Sequence, residues 1–356
     1  VDSDICVFQR ILMIDTRVEL IVNGIIIHMI FNQWYAILES TEVKKNQLLG
    51  TKRCGENLVL WRNDDGSITC LSDKCAHRGA SLCHGKLAGK EVECPFHGLR
   101  YDASGKCTII PSRGATVPVP ENFKVHSFPA RDEHGIIWIW WGEERETYPD
   151  IKFFDNLDGK FAYSTHACPW NMHYSRCVEN QLDAAHVPFV HPDSIGRGYK
   201  TIIDGPFVEQ GDGEIKFYPV IRKEDGTASK LPNEMGKPDT NQYLHFIFPN
   251  VWENNIIDRL KVVAIFSPVD EEHSVVYVRG YQKFATAPGF RGLFNRIGMV
   301  LNKKILHQDK AVVETQVPKK SDLYMKENLF PADSPIVAYR KMRHELQEQN
   351  PIPQID

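Results

Sequence analysis

The sequence has no apolar run near the roughly 18 residues that would suggest a membrane span. Residues 135–141 form a short apolar run and read as a strand. There is no glycine-rich dinucleotide fingerprint, so nothing marks a nicotinamide-binding unit within the chain. Basic residues are not in excess. Forty-two Lys and Arg stand against 46 Asp and Glu, for a net charge of −4. That balance excludes the basic footprint expected for nucleic acid or an anionic membrane. Cysteine is sparse, nine in 356 residues, and the number is odd. With no secretory signature, a reduced, cytoplasmic protein is expected rather than a disulfide scaffold. The first 28 residues lack the basic start and clean apolar core of a signal peptide. They read as an upstream extension from a misassigned start or a loosely attached tail; an extra strand or helix packed on the first domain is the sharper alternative. Met29 stands just before the first clear strand, 33–38.

The length suggests about two domains at roughly 150 residues each. Residues 29–145 read as a small all-β domain. Strands at 57–61 and 67–71 flank Asn63-Asp64-Asp65-Gly66, and strands at 99–101 and 106–110 flank Asp102-Ala103-Ser104-Gly105, both hairpin signals. The acidic stretch 143–150, ending in Tyr148-Pro149, reads as a linker. Residues 150–356 form a second domain. A helix is expected around 170–186, then a Gly- and Pro-rich loop to about 206. Strands at 242–248, 260–266 and 274–281 follow. A helix over 290–317 carries Leu293, Ile297, Val300 and Leu301 at helical spacing, and an amphipathic helix spans 334–349. Antiparallel strands with segregated helices make the fold class α+β.

The turns of the first domain carry chemistry. They read Cys75-Ala76-His77 and Cys94-Pro95-Phe96-His97, a C-x-H and a C-x-x-H separated by sixteen residues, followed by Gly79 and Gly98. Two thiolates and two imidazoles suit zinc, but zinc modules pair close cysteines with each other. Here each loop offers one Cys and one His, which suits a [2Fe–2S] cluster of Rieske type, two Cys on one iron and two His on the other. The remaining cysteines fit no further paired motif and read as buried thiols.

The stretch 179–191 holds Asn180, Asp183, His186 and His191. Asn180, Asp183 and His186 step by three and would share one face of a helix. Pro188 should end or kink that helix and bring His191 back towards His186. Two histidines and a carboxylate make the facial triad of non-haem Fe(II) oxygenases. Asp309, Glu314 and Asp183 are the candidate acids.

These motifs resemble the Rieske non-haem iron oxygenases over roughly residues 30–320. The form of the iron motifs is closest to the vanillate and dicamba O-demethylase type. The resemblance makes Cys75, His77, Cys94 and His97 the cluster ligands. Ala80 and Phe96 stand where respiratory Rieske proteins have a disulfide. With few polar partners around it, the cluster is expected low in the Rieske range, about −150 mV. The resemblance implies a helix-grip second domain with a mononuclear Fe(II) on His186, His191 and Asp309, and makes Glu314 a surface or salt-bridging acid. It implies that Asp183 bridges a cluster histidine of a neighbouring subunit to an iron histidine, and that Asn180 supports this region. It further implies a homotrimeric terminal oxygenase using O2 on a small organic substrate, aromatic or polycyclic. Electrons would come from an NAD(P)H-dependent reductase, with or without a ferredoxin. Hydroxylation and oxidative demethylation both begin at a C–H bond, and the motifs do not separate them.

Two rival readings remain at this level. One is a Rieske electron carrier with an inert second domain, and the other a zinc-stabilised binding module. His173, Trp252 and Asn255 are candidate pocket residues. Tyr218, Phe246, Trp252 and Tyr281 admit an aromatic guest but are equally core-like. His28, His126, His134, His166, His245 and His273 read as surface or satisfied core residues.

Overall fold

Asp65 and Asp102 show how the short strands of the first domain are turned. Asp65 Oδ1 accepts from Ser67 N at 2.9 Å, and Asp102 Oδ1 accepts from Ser104 N at 2.9 Å, so each side chain closes its own turn. The computed structural model describes residues 20–22, 25–27, 29–285 and 290–351. Most of the stretch 1–28 therefore lies outside the described residues, as does the side chain of Leu293; Leu20–Val22 and Ile25–Ile27 pair as a two-stranded sheet of their own.

Three antiparallel sheets build the first domain. Lys86–Ala88, Glu91–Glu93, Arg100–Tyr101 and Cys107–Ile109 form one; Leu49–Arg53, Glu56–Arg62, Ile68–Ser72 and Ser127–Phe128 form another. The third joins Gln33–Glu39, Ile136–Trp141 and Ala130–Glu133. All six residues of Ile136–Trp141 are buried. Strand alternation sends Ile137, Ile139 and Trp141 into one core and Ile136, Trp138 and Trp140 into another.

The second domain is a seven-stranded antiparallel sheet. Its spatial order is Ala162–Trp170, Ser274–Gln282, Leu260–Pro268, Val251–Ile257, Tyr243–Ile247, Glu214–Arg222, Ile202–Gly211. The long α-helices are α1 (Tyr174–Leu182), α3 (Phe290–Val313) and α4 (Ser334–Gln349), with the single turn α2 at Val187–Val190. Along Leu260–Pro268, Ala264 and Phe266 share a core with Val178, Leu306 and Tyr339 of the helices, whereas Val263 and Ile265 pack with Trp34, Trp138 and Trp140. One face of the sheet thus carries helices, and the other receives the first domain.

The expected helix over 170–186 is too long at both ends. Residues 162–170 pair with Ser274–Gln282 as a strand, and the helix stops at Leu182. The loop expected to 206 already turns into strand at Ile202. The helix expected to 317 ends at Val313. Residues 143–150 form neither helix nor strand, but they are pinned. The Tyr148 ring meets Trp34 and Trp140 edge-on at 5.9 and 5.3 Å, and Trp34 Nε1 donates to Pro149 O.

Polar groups lock the first domain onto the sheet. Arg279, fully buried, donates from Nε and Nη2 to both carboxylate oxygens of Glu39 at 2.7 Å each. Asn250 accepts from Ala36 N at 3.1 Å and donates to Ala36 O at 2.8 Å. Asn250→Ala strands both backbone groups in a dry interface, so a loss of about 2 kcal/mol is expected. Chemical denaturation followed by tryptophan fluorescence measures it, and an unchanged midpoint refutes the role given to Asn250.

Candidate metal centres and substrate cavity

The two cluster loops are built alike. Cys75 N donates to Ala80 O and Gly79 N to Cys75 O, at 2.8 and 2.9 Å; Cys94 N donates to Leu99 O and Gly98 N to Cys94 O, at 2.7 and 3.1 Å. Gly79 and Gly98 both sit at φ +73°, the left-handed region in which a side chain is strained. Each loop therefore offers one Cys and one His from a turn closed by the same two hydrogen bonds. Cys75 and Cys94 are buried, whereas His77 and His97 are exposed, with ring centroids 4.7 Å apart. Two sulfurs inside and two imidazoles at the tip are the donor set that would hold a two-iron cluster.

Tyr101, which sequence reasoning did not single out, touches this site. Its hydroxyl lies 3.1 Å from Cys75 Sγ and accepts from Ala76 N at 3.1 Å. Burial, with Cys75 beside it, pushes the phenol well above its ordinary pKa, so it remains a donor to the sulfur. Hydrogen bonds to cluster sulfurs raise the potential. Tyr101→Phe removes one, worth about 1 kcal/mol, and a fall of about 40–60 mV is expected in the one-electron couple. Protein-film voltammetry measures it; an equal or higher potential refutes the assignment.

The stretch 179–191 is not one helix. Asp183 caps α1 in extended conformation, φ −95° and ψ 124°. Its Oδ1 accepts from Ala185 N at 2.6 Å. That turn breaks the shared face expected for Asn180, Asp183 and His186. Pro188 begins rather than ends a turn: it lies at the start of α2, where its missing N–H is not needed. His186 and His191 flank that turn, which brings their ring centroids to 5.4 Å. Gly196 closes the loop behind them; a Cβ there would lie 2.3 Å from Val187 O.

Asp309 on α3 meets both rings. Its Oδ1 is 2.9 Å from His191 Nε2 and 3.5 Å from His186 Nε2. The ligand atoms of the three residues all lie within 4.8 Å of one another. His191 Nδ1 lies 3.0 Å from Gln308 Oε1 and donates to it, which turns the Nε2 lone pair towards the centre. Gln308 was not identified from sequence. Burial opposes ionisation of Asp309, but the two histidines hold its carboxyl below the ordinary value. Burial disfavours charge on His186 too, yet Asp183 and Asp309 outweigh it, and its pKa is pushed up to about 9. His186 Nδ1 is buried without a hydrogen bond; Asp183 Oδ2, 3.5 Å away, is a longer charge contact. A cation between the two Nε2 atoms and the carboxylate suits this donor set, and two histidines with one carboxylate are the non-haem iron set.

Glu314 stands apart. It accepts from Asn171 N at 2.6 Å and lies 3.6 Å from Lys310. His173 caps α1 by accepting from Ser175 N, and Asn255 bonds Asn241 O, so neither reaches the pocket; Trp252 does. Tyr218, Phe246 and Tyr281 are buried outside the lining of the inner cavity described next. His166 Nε2 is buried without a partner, whereas His245 and His273 pair with Glu214 and Asp270.

A cavity of about 350 Å³ opens from Asp309 between α3 and the sheet, walled by Trp252, Val262, Ala264, Val278, Met299 and Leu306. It adjoins an outer, more polar lobe of about 510 Å³ that reaches Asn180, Asp183, His186, Arg197 and Lys200.

A β-domain that presents two Cys–His loops, seated on a helix-backed sheet where two histidines and a carboxylate converge beside a cavity, offers donor sets for two metal centres. The Rieske [2Fe-2S] domain model matches residues 33–129, and the model of the Vanillate O-demethylase oxygenase C-terminal domain matches residues 170–349. The chain belongs to the Rieske non-haem iron oxygenases. It is 28% identical over 332 residues to Protein TIC 55, chloroplastic, of Pisum sativum, covering 87% of this chain and 57% of that protein. It is 27% identical over 309 residues to the methylxanthine N3-demethylase NdmB of Pseudomonas putida, covering 84% and 82%. The solved structure of NdmA from Pseudomonas putida CBB5 superposes with a TM-score of 0.72 at 22% identity, over 89% of this chain and 90% of that one, a likeness of fold. The chain spans little more than half the length of several curated relatives, 57%, 58% and 53% of three of them.

Proposed function

We propose that the chain is the terminal oxygenase of a multicomponent system, hydroxylating or oxidatively demethylating an organic substrate. The observation that carries this reading is the convergence of His186, His191 and Asp309 where the inner cavity meets the outer lobe. A bound cluster and ferrous ion would supply one-electron transfer and O2 activation. In this reading Cys75, Cys94, His77 and His97 hold the cluster, and the other three residues hold the iron.

The chain's own groups do the rest. Gln308 fixes the His191 tautomer, and the apolar walls keep bulk water from the reacting C–H bond. Asp183 sits beside His186 Nδ1 with its side chain 26% exposed. In this reading the chain forms a homotrimer, and a neighbour's His77 or His97 donates an imidazole N–H to the exposed side of Asp183. A separate reductase, with or without a ferredoxin, supplies electrons from NAD(P)H. All eight described cysteines are free, which suits a reducing, cytoplasmic setting, and among the described residues no helix is long and apolar enough to cross a membrane.

Because His186 holds a proton up to a pH of about 9 in the metal-free site, ferrous ion must displace it. Iron affinity is therefore expected to rise about tenfold per pH unit up to that value and to level off above it. In the stability linkage, a histidine raised from its unfolded value near 6.5 stabilises the apo-protein fully below that pH. This contribution is lost as pH approaches 9. Anaerobic Fe(II) titrations across the range measure the first effect; a flat affinity refutes it.

The overall reading is tested by NADH-coupled oxygen uptake with a surrogate reductase across a substrate panel, followed by product mass. Incorporation of oxygen from 18O2 is the expected result. Cluster reduction without substrate-dependent O2 consumption or oxygenated product, in protein carrying three irons per chain, would favour the electron-carrier alternative.

A further inference from the structure

The inner cavity has a particular chemistry. Strand alternation presents Trp252, Asn254 and Ile256 to it from one strand, and α3 presents Asn302, Leu306 and Asp309. Among the described residues lining it, Asp309 is the one ionisable group. The cations Arg197 and Lys200 line the outer lobe instead. Five carboxamides also line the cavity, and they divide into two sets. Gln282 and Asn295 are committed to the protein: Gln282 Nε2 donates to Asn295 Oδ1 at 2.9 Å, and Asn295 Nδ2 to Tyr163 O at 3.1 Å. The side chains of Gln181, Asn254 and Asn302 line the apolar wall without a hydrogen bond to any described residue. They come from α1, the sheet and α3. Gly280 makes room for one of them, since a Cβ there would lie 2.8 Å from Asn302 Nδ2.

Resting on the oxygenase reading above, we infer that the substrate is a neutral, largely apolar ring compound bearing a carbonyl or hydroxyl oxygen, held by Asn302 and Asn254 rather than by an ion pair. A carboxamide both donates and accepts, so it suits an uncharged oxygen. A carboxylate placed at Asn302 would be desolvated with no cationic side chain to meet it, roughly 10 Å along the helix from Asp309 and the metal site. The helix also sets a length. Asn302 precedes Asp309 by seven residues, roughly 10 Å along the axis. A guest that bonds Asn302 while presenting a C–H bond beside Asp309 must span a fused pair of rings or more.

Three naphthalenes with one skeleton test this: 6-methoxy-2-acetylnaphthalene, 2-methoxynaphthalene and 6-methoxy-2-naphthoate. Calorimetric titration of the cluster- and iron-loaded protein, without reductant, reads binding independently of turnover. The ketone is expected to bind at least tenfold tighter than either of the others. Asn302→Leu or Asn254→Leu should erase most of that preference while the visible cluster spectrum stays intact. Equal or tighter binding of the carboxylate overturns the inference, as does no binding by any of the three, or an unchanged ketone preference in both variants. Selective binding of the ketone with no oxygenated product would count against the oxygenase reading and leave the cavity chemistry standing.

A different observation carries a second inference. On α3, Lys303, His307, Lys310 and Glu314 follow helical spacing towards the edge strand Ala162–Trp170: Lys310 Nζ donates to Pro169 O, and Glu314 accepts from Asn171 N. On that strand His166 and Cys168 alternate onto one face. The ligand atoms of His166, Cys168 and His307 all lie within 4.8 Å of one another. His307 Nδ1 donates to Lys303 O at 2.7 Å, which frees its Nε2, while His166 Nε2 is buried with no partner. We propose that these two histidines and the cysteine bind one zinc ion, with water in the fourth position, and clamp α3 to the edge strand.

Zinc titration of the loaded protein against a chromogenic chelator tests it. His307→Ala and Cys168→Ser should each bind one zinc fewer than the parent, with cluster and iron contents unchanged. The parent alone should gain thermal stability with zinc. Equal zinc uptake by parent and variants overturns the proposal.

Discussion

Asp309→Ala is expected to give a coloured protein with an intact cluster spectrum, no mononuclear iron and turnover reduced at least 10³-fold. The two proposed centres share no residue. Cys75, His77, Cys94 and His97 sit on loops of the first domain, whereas Asp309 lies on α3, facing His186 and His191. Removing its carboxylate leaves two imidazoles, too weak a set to retain Fe(II). The side chain is almost fully buried, and two histidines hold it ionised. No nearby acid replaces it, since Glu314 is tied to Asn171 N and Asp183 to Ala185 N. Cys75→Ser is the converse case, losing the visible spectrum while keeping the iron. Metal analysis and paramagnetic resonance distinguish the two. Full iron occupancy in the Asp309 variant would remove this residue from the ligand set.

Asp183→Asn is expected to keep both centres and lower turnover by about 10²–10³. The substitution is nearly isosteric, and the amide oxygen would still cap Ala185 N. With that oxygen committed to Ala185 N, the neutral amide offers no charge to His186 and no further accepting oxygen for a second, incoming imidazole, as the carboxylate does. In the proposed trimer, that second imidazole belongs to a neighbouring copy. Mixed assemblies therefore provide a stricter test. A Cys75→Ser subunit retains the iron and Asp183, and an Asp309→Ala subunit retains the cluster. Co-expressed and purified through two tags, the pair should recover substantial activity that neither has alone. Loaded mixed assemblies that form no product would exclude transfer between subunits and the role given to Asp183. Wild-type turnover by Asp183→Asn would make this residue a cap of α1 and nothing more.

The cluster loops were legible from sequence because their geometry is local. C-x-H and C-x-x-H, each followed by a glycine, specify a turn whose hydrogen bonds run within six residues. The hairpins at Asp65 and Asp102 and the helix Ser334–Gln349 were legible for the same reason: turn chemistry and helical period are written in neighbouring residues. Residues 162–170 and 202–211 were not legible as strands. Each becomes a strand through pairing with a segment distant or newly turned in the chain, and the first lies against Ser274–Gln282, more than a hundred residues away. Residues 170–186 looked helical throughout because a period of three was read across Asp183, whose side chain instead bonds Ala185 N and stops α1.

By itself the sequence determined the class of protein and singled out the four residues proposed to hold the cluster and the two histidines proposed for the second centre. These depend on residue type and short spacing. Tertiary structure alone decided what stands around them: Gln308 behind His191, Tyr101 against Cys75, Asn302 facing the cavity seven residues before Asp309, and His307 beside Cys168. Each is a contact between segments that only the packing of α3 on the sheet, or of one loop on another, brings together. Packing across long separations is set by the summed burial of whole faces, and no pair of residues announces it in advance.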